Sequence, residues 1–233
     1  MRADLDAAVT DENQVSRFTV PNYLVRSSIM SCIVRACALV MLLMFSGLMG
    51  CGNTLPPRVL PDLPDASAAS KAMELYDTNH DGFLDAQELE KSPGLKAAIK
   101  QVDTNNDGKI SEQEIAERIK SWADSHLGRI QVVCRVTHNG QPLADAKVVF
   151  TPETFLGGKI QPGTGTTSQT GFANISCPSA DPSVKGLSPG FYRVEITKDG
   201  EPIPAKYNTE TTLGAEAAGG REGNSGLTFD LQY

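Results

Sequence analysis

Two twelve-residue stretches, Asp77–Glu88 and Asp103–Glu114, constrain this chain more than any other feature. They read DTNHDGFLDAQE and DTNNDGKISEQE, and their starts lie 26 residues apart. Each carries a side-chain oxygen at positions 1, 3, 5, 9 and 12, with glycine at position 6 where the chain must turn sharply. Position 8 is Leu84 in one stretch and Ile110 in the other. The flanking segments ASAASKAMELY and SPGLKAAIKQV read as helices, with Ser92 at the N-cap and Pro93 at N1 of the second. Met73 and Tyr76 match Ile99 and Val102, and Leu89, Ile115, Ile119 and Trp122 extend the apolar stripe at helical spacing. That stripe reads as core.

Oxygen donors at this spacing suit a hard cation that takes six to eight oxygens, which is the chemistry of Ca²⁺. Over residues 70–126 the sequence resembles the EF-hand family. The resemblance implies two Ca²⁺ ions. The first would be held by Asp77, Asn79, Asp81, the Phe83 carbonyl, Asp85 and Glu88. The second would be held by Asp103, Asn105, Asp107, the Lys109 carbonyl, Ser111 (through water) and Glu114. Four carboxylates against three predict unequal sites. His80 at position 4 reads as a solvated residue. Two other readings compete: loops that have lost calcium, and a dockerin-like module that binds a partner. A plausible entering helix and a glutamate closing each loop argue against the dockerin.

Charge agrees with a cation site. The formal net charge is −7, and residues 71–128 hold 12 acidic against 7 basic residues, a net −5. No basic patch is present to neutralise phosphates, which argues against nucleic acid.

The N-terminus reads as an address. Residues 36–50, ACALVMLLMFSGLMG, are fifteen apolar or small residues after Arg35, too few for a span of about 20. With Arg26 and Arg35 before them they suit a signal peptide over residues 1–50, with Met30 as a candidate true start. Leu48-Met49-Gly50-Cys51 resembles the lipobox of bacterial lipoproteins, which implies lipid attachment at Cys51 and a membrane partner. Gly52 in place of aspartate leans to the outer membrane. Residues 51–66 then form a lipidated cysteine and a proline-rich tether.

After Gly128, which is a candidate helix C′ residue, the pattern changes from helical to β. Residues 67–128 and 129–233 therefore read as two domains. Strand candidates are Arg129–His138, Ala146–Thr151, Gly165–Ser168, Phe172–Cys177, Gly190–Lys198 and Leu227–Tyr233, separated by Gly-, Asn- and Pro-containing turns. Residues 208–226 read as a loop. Cys134 and Cys177 share the parity of the inward residues, and in an exported domain a disulfide between them is an expectation, with two free buried thiols as the alternative.

Gly140, Pro142, Leu143, Ala146, Val148, Gly171, Pro189, Gly190, Tyr192 and Val194 give residues 130–233 a resemblance to carboxypeptidase regulatory-like and transthyretin-like domains. The resemblance implies an antiparallel Greek-key β-sandwich. Transthyretin-like hydrolases of 5-hydroxyisourate use histidines, an arginine and a Tyr-Arg-Gly-Ser terminus. This region holds one histidine, His138, and ends Leu231-Gln232-Tyr233. No other nucleophile motif is present. The fold class expected is thus α+β multidomain. The function expected is a non-enzymatic calcium-binding lipoprotein of a bacterial cell envelope, with another envelope protein as partner. A carbohydrate- or substrate-binding accessory module is the alternative, weakened by 6% aromatic content and a single Trp placed in a helix.

Overall fold

A computed structural model describes residues 63–65, 67–178, 185–219 and 226–233. The expected signal segment, Cys51 and nearly all of the tether lie outside the described residues. Among the described residues no helix is long and apolar enough to cross a membrane.

The chain is α+β, with helices around the acidic loops followed by mainly antiparallel sheet. Helix α1 (Ala68–Tyr76) buries Ala68, Ala69, Ala72 and Tyr76 along one face and ends where the first loop begins. Strand β1 (Phe83–Leu84) pairs antiparallel with β2 (Ile110–Ser111), and Leu84 lies opposite Ile110. The first loop exits into a 3₁₀ turn, Glu88–Lys91, rather than a full helix. Pro93 is the reason, because the residue before proline is pushed out of the α region, and Ser92 sits at φ −126°, ψ 78°.

Pro93 opens helix α2 (Pro93–Ala97) as expected, but the buried Ser92 side chain makes no capping bond. Helix α3 (Ile99–Val102) completes the entry to the second loop. Helix α4 (Glu112–Asp124) starts with a capping box in which Ser111 and Glu114 satisfy each other's backbone amides. Past its end the left-handed residue is His126 (φ 49°), so the helix stops before the expected Gly128.

The β half has two sheets. One holds β3 (Val132–His138), β4 (Gln141–Pro142), β7 (Phe172–Ile175) and β10 (Leu227–Leu231). The other runs in the order β6 (Gly163–Thr166), β5 (Lys147–Pro152), β8 (Gly190–Thr197) and β9 (Gly214–Ala217). Asn139-Gly140, both at positive φ, form the tight β3–β4 hairpin loop. A bridge between Thr164 and Ser176 joins the two sheets at one edge.

Three expectations are corrected. β10 pairs parallel to β3, with Leu227 opposite Cys134, so the sheets are not wholly antiparallel. Parallel pairing requires a crossover rather than a hairpin, and side-chain alternation carries no information about strand direction. Within residues 208–226, read as loop, Gly214–Ala217 form strand β9 on β8. Cys134 and Cys177 are both free and buried. The β3–β7 register sets Cys134 opposite Ala173, which leaves Cys177 four residues further along. At about 3.3 Å per residue that offset is roughly 13 Å, beyond the approximately 7 Å Cα separation a disulfide can bridge.

The described residues from 63 onward belong to one compact unit, and a single cluster of buried side chains runs through its helical and β halves. Phe191 and Tyr192, adjacent on β8, are both fully buried. Tyr192 lies near Phe150 of the neighbouring strand β5, whose ring meets Phe229 of the other sheet. Phe191 points the opposite way, 4.8 Å from the Trp122 ring of α4.

Candidate metal centre

Both loops fold back on themselves through their own carboxylates. In the first, Asp77 Oδ2 accepts the Gly82 amide at 3.0 Å, Asn79 Oδ1 the Asp81 amide at 2.9 Å, and Asp81 Oδ1 the Phe83 amide at 3.0 Å. Asp85 Oδ1 accepts the Gln87 and Glu88 amides. Glu88 Oε1 accepts the Thr78 and Asn79 amides at 2.7 and 3.2 Å, and its Oε2 accepts the Asp85 amide.

The second loop repeats the pattern. Asp103 Oδ2 accepts the Gly108 amide at 2.9 Å, Asn105 Oδ1 the Asp107 amide and Asp107 Oδ1 the Lys109 amide. Glu114 accepts the Thr104 amide at 2.9 Å and the Ser111 amide at 2.9 Å.

The backbone explains the sequence pattern. Gly82 and Gly108 take φ +84° and +82°, a region that favours glycine. Position 4 is left-handed in both loops, at His80 and Asn106, each at φ 59°. Burial pushes the Glu88 and Glu114 carboxyls up, but the hydrogen bonds they accept outweigh it and hold both below the ordinary value. Both are therefore anionic at neutral pH.

The donor set fits a hard cation. Asp77 Oδ1 is buried and has no hydrogen-bond partner, although Asp77 is only 8% exposed. A buried unpaired carboxylate oxygen is costly, and a cation in the loop would satisfy it. Among the described residues no three His, Cys, Asp or Glu side chains by themselves gather tightly enough to hold an ion. The EF-hand pattern also draws on the Asn79 and Asn105 side chains and on the Phe83 and Lys109 carbonyls. The Lys109 ammonium reaches across to Asp81 Oδ2 of the first loop at 3.3 Å and lies over the Phe83 ring.

The EF hand family model matches residues 71–91 and 95–119, which cover both loops with their entering segments. This stretch is an EF-hand calcium-binding region. No curated protein matches the chain.

Sequence reasoning missed the residues that fasten this region to the sheets. Glu216 of β9 accepts Arg118 Nε at 2.7 Å, Arg118 Nη2 at 2.9 Å and Trp122 Nε1 at 2.9 Å. Glu153, after β5, is 1% exposed and accepts the Gly94 amide at 2.7 Å and the Tyr76 hydroxyl at 3.4 Å. One signal was legible. Phe191 and Tyr192 are consecutive large apolar residues, and on a strand that requires both faces to be covered.

Proposed function

We propose that this protein is a non-enzymatic calcium-binding lipoprotein of a bacterial cell envelope, holding two Ca²⁺ ions as structural braces. The observation that carries the reading is the doubled loop, with the buried Asp77 Oδ1 at position 1 of the first left without a hydrogen-bond partner. One ion takes Asp77, Asn79, Asp81, the Phe83 carbonyl, Asp85 and Glu88. The other takes Asp103, Asn105, Asp107, the Lys109 carbonyl, Ser111 and Glu114.

A structural role is favoured over sensing because the apolar face of the paired hands is already covered. Tyr76 packs edge-on against Phe155 and Trp122 against Phe191. A sensor of the kind that captures helices must free such a face on loading.

The β half is read as a transthyretin-like Greek-key sandwich that makes contact with another envelope protein. The resemblance of residues 130–233 and the two four-stranded sheets joined at one edge support this. Lipid at Cys51 would hold the whole on the membrane, with the outer membrane favoured by Gly52.

Calorimetric titration of calcium into the purified, calcium-stripped protein, with magnesium present, tests the reading. Two binding events are expected. Affinities near 10⁻⁴–10⁻³ M would match modules kept loaded by an extracellular medium. Absence of binding heat would overturn it.

A further inference from the structure

We propose that the two calcium loops and the edge strand β9 form one cooperative unit, in which loaded loops hold β9 on its sheet and Glu216 positions α4 for the second loop. This rests on the calcium-binding reading above.

The connections are direct. Among the described residues β9 is the last strand of its sheet, with β8 as its only strand neighbour. An exposed edge invites pairing with another chain, and here the calcium-binding half covers it. Gly214 lies so close to helix α2 that a Cβ there would stand 1.9 Å from the Pro93 carbonyl oxygen and 2.6 Å from the Gly94 nitrogen. Gly94 in turn would place a Cβ 2.8 Å from the Tyr192 nitrogen of β8. Backbone thus lies against backbone at both glycines, with the Glu153 side chain beside Gly94.

The polar anchors start next to the ligands. Tyr76, immediately before Asp77, donates its hydroxyl to Glu153. Gly94, on the segment that enters the second loop, donates its amide to the same carboxylate. Helix α4 is capped by Ser111 and Glu114, both second-loop ligands, and one turn later sends Arg118 onto Glu216. Phe191, directly opposite Glu216 across the β8–β9 pair, receives the Trp122 ring.

Glu216 is nearly buried, its side chain 8% exposed against 24% for Arg118. If the hands loosen when calcium leaves, α4 and α2 lose their fixed positions. Glu216 then loses its guanidinium and indole partners, and β9 keeps only its bonds to β8. Coupling of this kind is reciprocal, so whatever calcium does for β9, Glu216 must return as calcium affinity.

Hydrogen exchange of the whole protein with calcium and with EGTA reads the first half. The amides of residues 214–217 are expected to exchange roughly tenfold faster in EGTA, while those of β3 change little. An E88Q/E114Q double variant should show the fast pattern even in calcium. Calorimetry on E216Q reads the second half. Calcium affinity at one site should fall by about fivefold or more, the low end of ordinary coupling. A Glu216 that merely stabilises the fold would lower the melting temperature equally with and without calcium and leave affinity unchanged. That result, or calcium-independent protection of β9 in a wild-type protein that binds two ions, would overturn the proposal while leaving calcium binding intact. Failure of the wild type to bind calcium would sink both. If E216Q fails to fold, the wild-type exchange experiment decides alone.

Discussion

Glu153 and Gly94 are 59 residues apart in the chain, and the carboxylate of one accepts the amide of the other at 2.7 Å inside the protein. The amide is one of the first in helix α2 and has no partner within its own helix. Glu153 therefore satisfies a helix end that Ser92, the expected capping residue, leaves open.

That position is unfavourable for a charge. Burial raises the Glu153 carboxyl above its ordinary value, opposed by the Gly94 amide, the nearby Arg193 charge and the Ser92 and Tyr76 hydroxyls. A raised carboxyl makes a contribution that is fully present below the unfolded value of about 4.3 and is lost as pH rises through the folded value. E153Q, which keeps an acceptor for Gly94, should remove this decline and unfold no more easily than wild type at pH 7. E153A should cost about 1–3 kcal/mol by leaving the Gly94 amide unsatisfied. Urea unfolding of the three proteins between pH 4 and 8 checks both.

Glu114 is a capping-box partner and the proposed closing ligand of the second loop, and two substitutions separate the roles. E114Q keeps one acceptor for the capping box but loses the charge and one of the two oxygens that accept the Thr104 and Ser111 amides, so it should abolish binding at the second loop and cost less calcium-free stability than E114A. E114A should lose binding and also about 1 kcal/mol of calcium-free stability. Chemical unfolding in EGTA, set beside calorimetry, distinguishes them.

Gly214→Ala should destabilise by about 1–3 kcal/mol or more, because its Cβ would collide with the Pro93 carbonyl. Gly128→Ala, where nothing lies within 4 Å, is the control and should be close to neutral. Thermal melts report the difference.

Cys134 should be inert in the folded protein. Burial pushes its thiol up to about 12. Cys177 is also buried; its thiol donates to the Gly186 carbonyl and is touched by the Arg129 guanidinium. Thiol labelling at pH 8 should leave both unmodified until denaturant is added, and a non-reducing mass should show no bridge between them. A mass lower by two hydrogens, mapped to these two cysteines, would contradict the register of β3 and β7.

On the proposed lipoprotein reading, Cys51→Ser should abolish incorporation of labelled fatty acid into the protein, which metabolic labelling with palmitate checks.

The calcium region was legible because its chemistry is local. Twelve consecutive residues bring their own ligands and their own turn glycine, and no distant contact is needed to recognise them. The tight Asn139-Gly140 turn and six of the strands were legible for the same reason, since turn chemistry and alternation act over a few residues. The first loop's 3₁₀ exit reads as helix in the sequence, although its cause, Pro93, is also a neighbour.

What the sequence could not carry was the placement of one such piece against another. The direction of β10, the existence of β9 and the separation of Cys134 from Cys177 all depend on which strands meet and in what register. β9 reads as loop because Gly214-Ala215-Glu216-Ala217 has little strand propensity. Gly214 is needed because helix α2 lies backbone-close upon it, a contact made about 120 residues earlier in the chain at Pro93 and Gly94. Glu153 and Glu216 look like ordinary surface acids in the sequence. Only folding shows them buried, because the amide, guanidinium and indole that compensate them arrive from the calcium-binding half.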